Sequence, residues 1–125
     1  MNRTVLLIED NEQNRYLATF LLEKHGFNVV AAADGLRGIE LGATIDPAVI
    51  MLDIQLPAMD GYAVARVLRQ NAALDRVPII AVTSYAMPGD REKAIAAGCV
   101  GYIEKPIDPD SFVAEISHFL PSEPS

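Results

Sequence analysis

The 125-residue sequence predicts an α/β sandwich, with one parallel sheet of five strands between two layers of helices. Three observations predict it. Short apolar runs rich in β-branched residues alternate five times with helix-patterned segments. Three of those runs are continuously apolar, as strands of a parallel sheet covered on both faces are. The intervening segments begin and end on Asn, Asp, Pro or Gly, the residues that start and stop helices.

The first strand is Val5-Leu6-Leu7-Ile8. Asn11 to His25 follows as a helix with Leu17, Leu21 and Leu22 at helical spacing, and it stops at Gly26, a C′ glycine. The second strand is Asn28-Val29-Val30-Ala31, and Asp34 caps a short helix through about Leu41, with Gly42 near its end. Val49-Ile50-Met51-Leu52 is the third strand, and Asp60 precedes a helix containing Val64, Val67 and Leu68. The fourth strand is Pro78-Ile79-Ile80-Ala81-Val82, after which Pro88-Gly89-Asp90 opens a helix running to Ala97 and stopping at Gly98. Gly101-Tyr102-Ile103 is the fifth strand. Asp108-Pro109 reads as an N-cap followed by proline at the first helical position, opening a last helix with Phe112, Ile116 and Phe119. Right-handed crossovers leave few ways to connect these pieces, and the commonest at this length is the flavodoxin-like (βα)5 three-layer sandwich with strand order 2-1-3-4-5. Residues 1–120 are expected to form one domain, with 121–125 a flexible tail.

Composition narrows the function. Half the residues are hydrophobic, enough for a core without disulfide or metal staples. Seventeen acidic residues against ten basic ones give a net charge of −7, which argues against direct nucleic-acid binding. No apolar run reaches membrane-spanning length, and the N-terminus lacks the layout of a signal peptide, so a cytoplasmic protein without membrane contact is expected. The single cysteine, Cys99, sits at a helix-to-strand junction and is expected to be a buried structural thiol. His25 at a helix C-terminus reads as dipole compensation, and His118 as a surface residue.

In open α/β sheets, ligands bind at the carboxyl ends of the strands, where strand order reverses. Strand one ends in Glu9-Asp10 and strand three in Asp53, on either side of that point. Strand four ends in Thr83-Ser84 and strand five in Glu104-Lys105-Pro106. Any one of these polar ends is unremarkable where a chain meets solvent. Together they crowd three carboxylates, which repel one another and need a cation. Oxygen-only ligands with room for water and phosphate favour Mg²⁺. A metal, a carboxylate nucleophile, a lysine and a hydroxyl point to phosphoryl transfer onto an aspartate.

Glu9-Asp10-Asn11, the run from Asp53 through Pro57 to Asp60-Gly61, Thr83 and Lys105-Pro106 resemble the signature of two-component receiver domains, over about Thr4 to Leu120. The segments Ala86-Met87-Pro88-Gly89-Asp90 and Gly98 to Ile107 make the chain most similar to single-domain regulators and to the receivers of hybrid histidine kinases. The resemblance implies a phosphorylation-dependent switch rather than an enzyme acting on other molecules. Asp53 would accept the phosphoryl group from a phosphohistidine of a histidine kinase or histidine phosphotransfer protein. Asp10, Asp53 and the backbone carbonyl of Gln55 would ligate Mg²⁺, with Glu9 acting through metal-bound water. Lys105 would pair with phosphoryl oxygens across a cis bond to Pro106. Thr83 and Tyr102 would form the switch, read by a downstream protein on the face made by the fourth helix, fifth strand and fifth helix. Gln55 and Tyr85 would tune the lifetime of the phosphoryl group. A monomer or weak homodimer is expected, free-standing rather than cut from a larger protein.

Two residue readings stay open at this level. Tyr102 is either a switch or an edge aromatic packed on the last helix. The surplus of apolar residues on the first helix (Tyr16, Leu17, Ala18, Phe20, Leu21, Leu22) is either a wide core stripe or, beside Pro106 and Ile107, a docking patch for a four-helix phosphodonor. Rival functions fare worse. A flavodoxin-type cofactor binder would be repelled by Glu9-Asp10-Asn11-Glu12, and a haloacid-dehalogenase-type phosphatase needs an acid where the chain has Gln55. A pseudo-receiver normally lacks one of the acids, the threonine or the lysine, and all are present.

Overall fold

Along the first strand, Val5 and Leu7 point to one face and Leu6 and Ile8 to the other, and this alternation builds two separate cores. In the computed structural model, which describes residues 3–84 and 86–120, the elements follow strictly in turn. They are β1 (Thr4–Ile8), α1 (Glu12–Lys24), β2 (Asn28–Ala32), α2 (Gly35–Thr44), β3 (Val49–Asp53), α3 (Gly61–Arg69), β4 (Ile79–Thr83), α4 (Asp90–Ala96), β5 (Gly101–Glu104) and α5 (Phe112–His118). All strand pairs are parallel, in the order β2-β1-β3-β4-β5, as the sequence predicts.

One face of the sheet packs Leu6, Ile8, Ile50, Leu52 and Ile79 against Val64 and Leu68 of α3 and Ala94 of α4. The other packs Val5, Leu7, Val49, Met51, Ile80 and Val82 against Ala18, Leu21 and Leu22 of α1 and Phe112 and Ile116 of α5. β3 and β4 lie at the centre and are buried at every position.

Three of the caps work as the sequence indicates. Asn11, Asp34 and Asp60 each accept a backbone N–H of the first turn, from Asn14, Arg37 and Tyr62. Gly26 and Gly98 end α1 and α4 with φ of 88° and 102°, a conformation that disfavours other residues.

Several boundaries need correction. The second helix runs to Thr44, past Gly42, because that glycine is a packing site: a Cβ there would come within 2.9 Å of Leu68. The last helix begins at Phe112 and not after Asp108-Pro109. Asp108 instead closes a turn, its side chain accepting the Asp110 N–H and its carbonyl the N–H of Phe112. A single 3-10 turn at Ala72–Leu74, capped by Asn71, was not foreseen. The tail, 121–125, lies outside the described residues.

Candidate functional site

The strand ends carry the site. β3 stops on Asp53 and β4 on Thr83, while Glu9 and Lys105 directly follow β1 and β5. The ladder continues past the strands, since Glu9 N–H donates to Ala32 O, Ile54 N–H to Val82 O and Lys105 N–H to Thr83 O. That fixes the backbone beneath each side chain.

Glu9, Asp10 and Asp53 place one carboxylate oxygen each within 4.8 Å of the others. Glu9 and Asp53 are only 4 % exposed, whereas Asp10 is open to solvent. The Lys105 ammonium reaches across from β5, pairing with Glu9 Oε1 and lying 3.2 Å from Asp53 Oδ2. Its bond to Pro106 is cis. The second Asp53 oxygen accepts the Gln55 N–H at 2.8 Å. Glu9 Oε2 accepts the Asn11 N–H, tying the acid to the start of α1.

Burial pushes the Glu9 carboxyl up to about 7, helped by its hydrogen bond to Asp53 and opposed by Lys105. Burial acts the other way on Lys105, yet its contacts with Glu9 and Asp53 outweigh it and leave the ammonium raised. The donor set is oxygen-only, and three carboxylates face one ammonium. Such a cluster suits a divalent metal and fits no soft-ligand ion.

Thr83 is fully buried at its strand end. Tyr102 sits on the edge strand with its ring packed against the α4 side of the core and the Arg91 guanidinium 5.3 Å from the ring centre. Its phenolic oxygen is sealed from solvent, close enough to Thr83 to feel that hydroxyl, yet in hydrogen-bond geometry with no described residue. Burial, then the charge of Asp90, raises the phenol. Gln55 is exposed, and its side-chain carbonyl accepts both the N–H and the hydroxyl of Ser84.

Some contributors escape a reading by motif. Arg15, one turn after the Asn11 cap, donates to the backbone carbonyls of Glu9 and Asp10 and holds the acidic loop. Its signal was spacing alone. Tyr62 at the start of α3 donates to the Asp90 carbonyl at 3.3 Å, joining α3 to α4, and Arg91 covers Tyr102. Nothing local in the sequence announces either contact. Tyr85, the other expected lifetime residue, lies outside the described residues.

A profile of the response regulator receiver domain matches residues 5–117. The chain belongs to that family. Among curated relatives, this receiver is 38 % identical over 120 residues to the polar-differentiation response regulator DivK of Brucella ovis, covering 96 % of this chain and 98 % of the relative. The receiver domain of the Pseudomonas aeruginosa sensor histidine kinase PA1611, solved with a magnesium ion coordinated in its active-site cleft, superposes with a TM-score of 0.86. It is 32 % identical, over 95 % of this chain and 98 % of that one. Chemotaxis protein CheY4 of Vibrio cholerae, at 24 % identity, shares the fold with a TM-score of 0.92 over 96 % of this chain and all of its own. The receiver is therefore a phosphorylation-dependent signalling module, of a family that works with histidine kinases or phosphotransfer proteins and with downstream targets. No helix among the described residues is long and apolar enough to cross a membrane.

Proposed function

We propose that Asp53 is the residue that takes the phosphoryl group, delivered from a phosphohistidine on a histidine kinase or histidine phosphotransfer protein. One observation carries this reading. The Asp53 carboxylate is buried at the carboxyl end of the central strand, in contact with Lys105 and in a cluster with Glu9 and Asp10. An Asp53 oxygen attacks phosphorus and the P–N bond to histidine breaks, leaving an acyl phosphate on the aspartate. Lys105 sits where it can transfer its pairing from Glu9 to a phosphoryl oxygen, compensating charge as the bonds reorganise.

By its resemblance to receiver domains, Asp10, Asp53 and the Gln55 carbonyl would be the direct metal ligands, with Glu9 acting through metal-bound water; the clustering of the three carboxylates supports this. Magnesium, the hard ion favoured by few carboxylates and a phosphate, would neutralise the cluster and draw the phosphoryl oxygens towards Asp53. The exposed, stacked rings of Tyr16 and Phe20 on α1 favour the docking-patch reading of that helix, with the donor a helical bundle laid across it. The compartment this assigns is the cytoplasm, and the oligomeric state a monomer or weak dimer.

Readout runs through Thr83 and Tyr102 to a protein on the α4–β5–α5 face. Incubation with Mg²⁺ and acetyl phosphate, followed by intact-mass measurement, tests the core of this reading. A gain of one phosphoryl group that Asp53→Asn abolishes is expected. No gain in the unmutated protein would make it a pseudo-receiver.

A further inference from the structure

At the mouth of the site, one side chain joins the loops that follow β3 and β4. Gln55 lies two residues beyond Asp53, in the β3–α3 loop. Ser84 directly follows Thr83, at the start of the β4–α4 loop. Gln55 Oε1 lies 3.0 Å from the Ser84 amide nitrogen and 2.7 Å from its hydroxyl. A backbone N–H can only donate, so the amide orientation of Gln55 is fixed by chemistry: its carbonyl must face Ser84. The Gln55 N–H meanwhile holds Asp53 Oδ1 at 2.8 Å. One residue thus grips both the acceptor carboxylate and the amide of the neighbouring strand end.

The register shows what this costs. Asp53 pairs with Val82, so the Ser84 N–H stands two residues beyond the partner of the aspartate, over the same end of the sheet. A phosphoryl group on Asp53 would bring new anionic oxygens to that end of the sheet, where they would compete for this N–H. A hydrogen bond to an ionised acceptor is about twice as strong as a neutral one. The N–H cannot serve the phosphoryl oxygen and the Gln55 carbonyl at full strength together.

We propose that the Gln55 side chain is a latch: it holds the β4–α4 loop in the unphosphorylated position by occupying the Ser84 N–H and hydroxyl, and phosphorylation of Asp53 must displace it. Gln55 is then a positioning residue acting through Ser84. Part of the free energy of the new phosphoryl contact is spent in opening the latch, which lowers the fraction of switched molecules at a given phosphodonor concentration. The proposal rests on the assignment of Asp53 as the phosphorylated residue, but its first test does not.

Amide hydrogen exchange at Ser84, followed by NMR on the metal-free, unphosphorylated full chain, tests the latch directly. Gln55→Met keeps the length of the side chain and removes the acceptor, and should speed exchange at Ser84 by roughly three- to tenfold. Gln55→Glu keeps an acceptor and should retain the protection, which a mere loss of packing would not produce. Ser84→Ala keeps the N–H and should retain most of it. The second arm uses acetyl phosphate and Mg²⁺: Gln55→Met should reach half-maximal phosphorylation at a several-fold lower phosphodonor concentration. Equal Ser84 exchange in the unmutated protein and Gln55→Met would overturn the latch. So would a phosphorylated protein whose Ser84 N–H keeps its unphosphorylated chemical shift. Failure of every variant, and of the unmutated chain, to take up phosphoryl would instead remove the Asp53 assignment and leave the exchange result to judge the contact.

Discussion

The fold works against the ionisation of Glu9. Its carboxyl is pushed up to about 7 by burial and by Asp53, so between the ordinary carboxylate range and neutrality the folded chain binds a proton that the unfolded chain has released. Stability then falls as pH rises through that window. The whole effect is bounded at about 3 kcal/mol, with the opposing Lys105 ammonium already included in that shift. Urea midpoints measured with chelator should therefore be higher at about pH 5.5 than at about pH 8. Added Mg²⁺ should reverse the order, because a divalent ion favours the ionised cluster. A metal-free midpoint that does not drop with pH would mean that Glu9 titrates normally.

At the scale of elements, the junction between β3 and α3 is the least forgiving. A Cβ on Gly61 would come within 2.2 Å of Ile54 Cα and 2.9 Å of the Asp53 carbonyl oxygen, both backbone atoms that cannot rotate aside. Gly61→Ala should cost about 2 kcal/mol or more in denaturation measurements, and it should disturb Asp53 along with the helix. The caps at Asn11, Asp34 and Asp60 were legible because a short polar side chain before an apolar period has one common use. Asp108-Pro109 carries the same local signature, yet there the aspartate closes a turn and the helix waits until Phe112 enters the core. Gly42 misled in the opposite sense, as its missing side chain serves the close approach of Leu68 and not the end of a helix. Tertiary packing decided both, and a local pattern does not contain it.

Across the whole molecule, α1 offers two different surfaces. Ala18, Leu21 and Leu22 are buried under the sheet, while Tyr16 and Phe20 are 73 % and 52 % exposed with their rings 6.5 Å apart. Replacing both by serine should change stability by no more than about 1 kcal/mol. Phosphotransfer from a histidine-bearing helical bundle should slow by about tenfold if these rings are anchors of the contact. Phosphorylation by acetyl phosphate should not change, which separates docking from chemistry; an unaltered transfer rate would place the donor elsewhere. The convergence of Glu9, Asp10, Asp53, Thr83 and Lys105 could be read from strand ends because a parallel sheet collects them on one rim. The grip of Gln55 on Ser84 and the cover of Arg91 over Tyr102 depend on side-chain direction, and the sequence is silent on that.

Cys99, the only cysteine of the chain, is enclosed beneath α4, and burial pushes its thiol up to about 11. At neutral pH it is almost wholly protonated and sheltered, so alkylating reagents find little thiolate to attack. A cysteine placed at an exposed position on α4, such as Ile95, would react alone with a maleimide dye. The receiver thus comes ready for site-selective fluorescent labelling without first having its natural thiol removed.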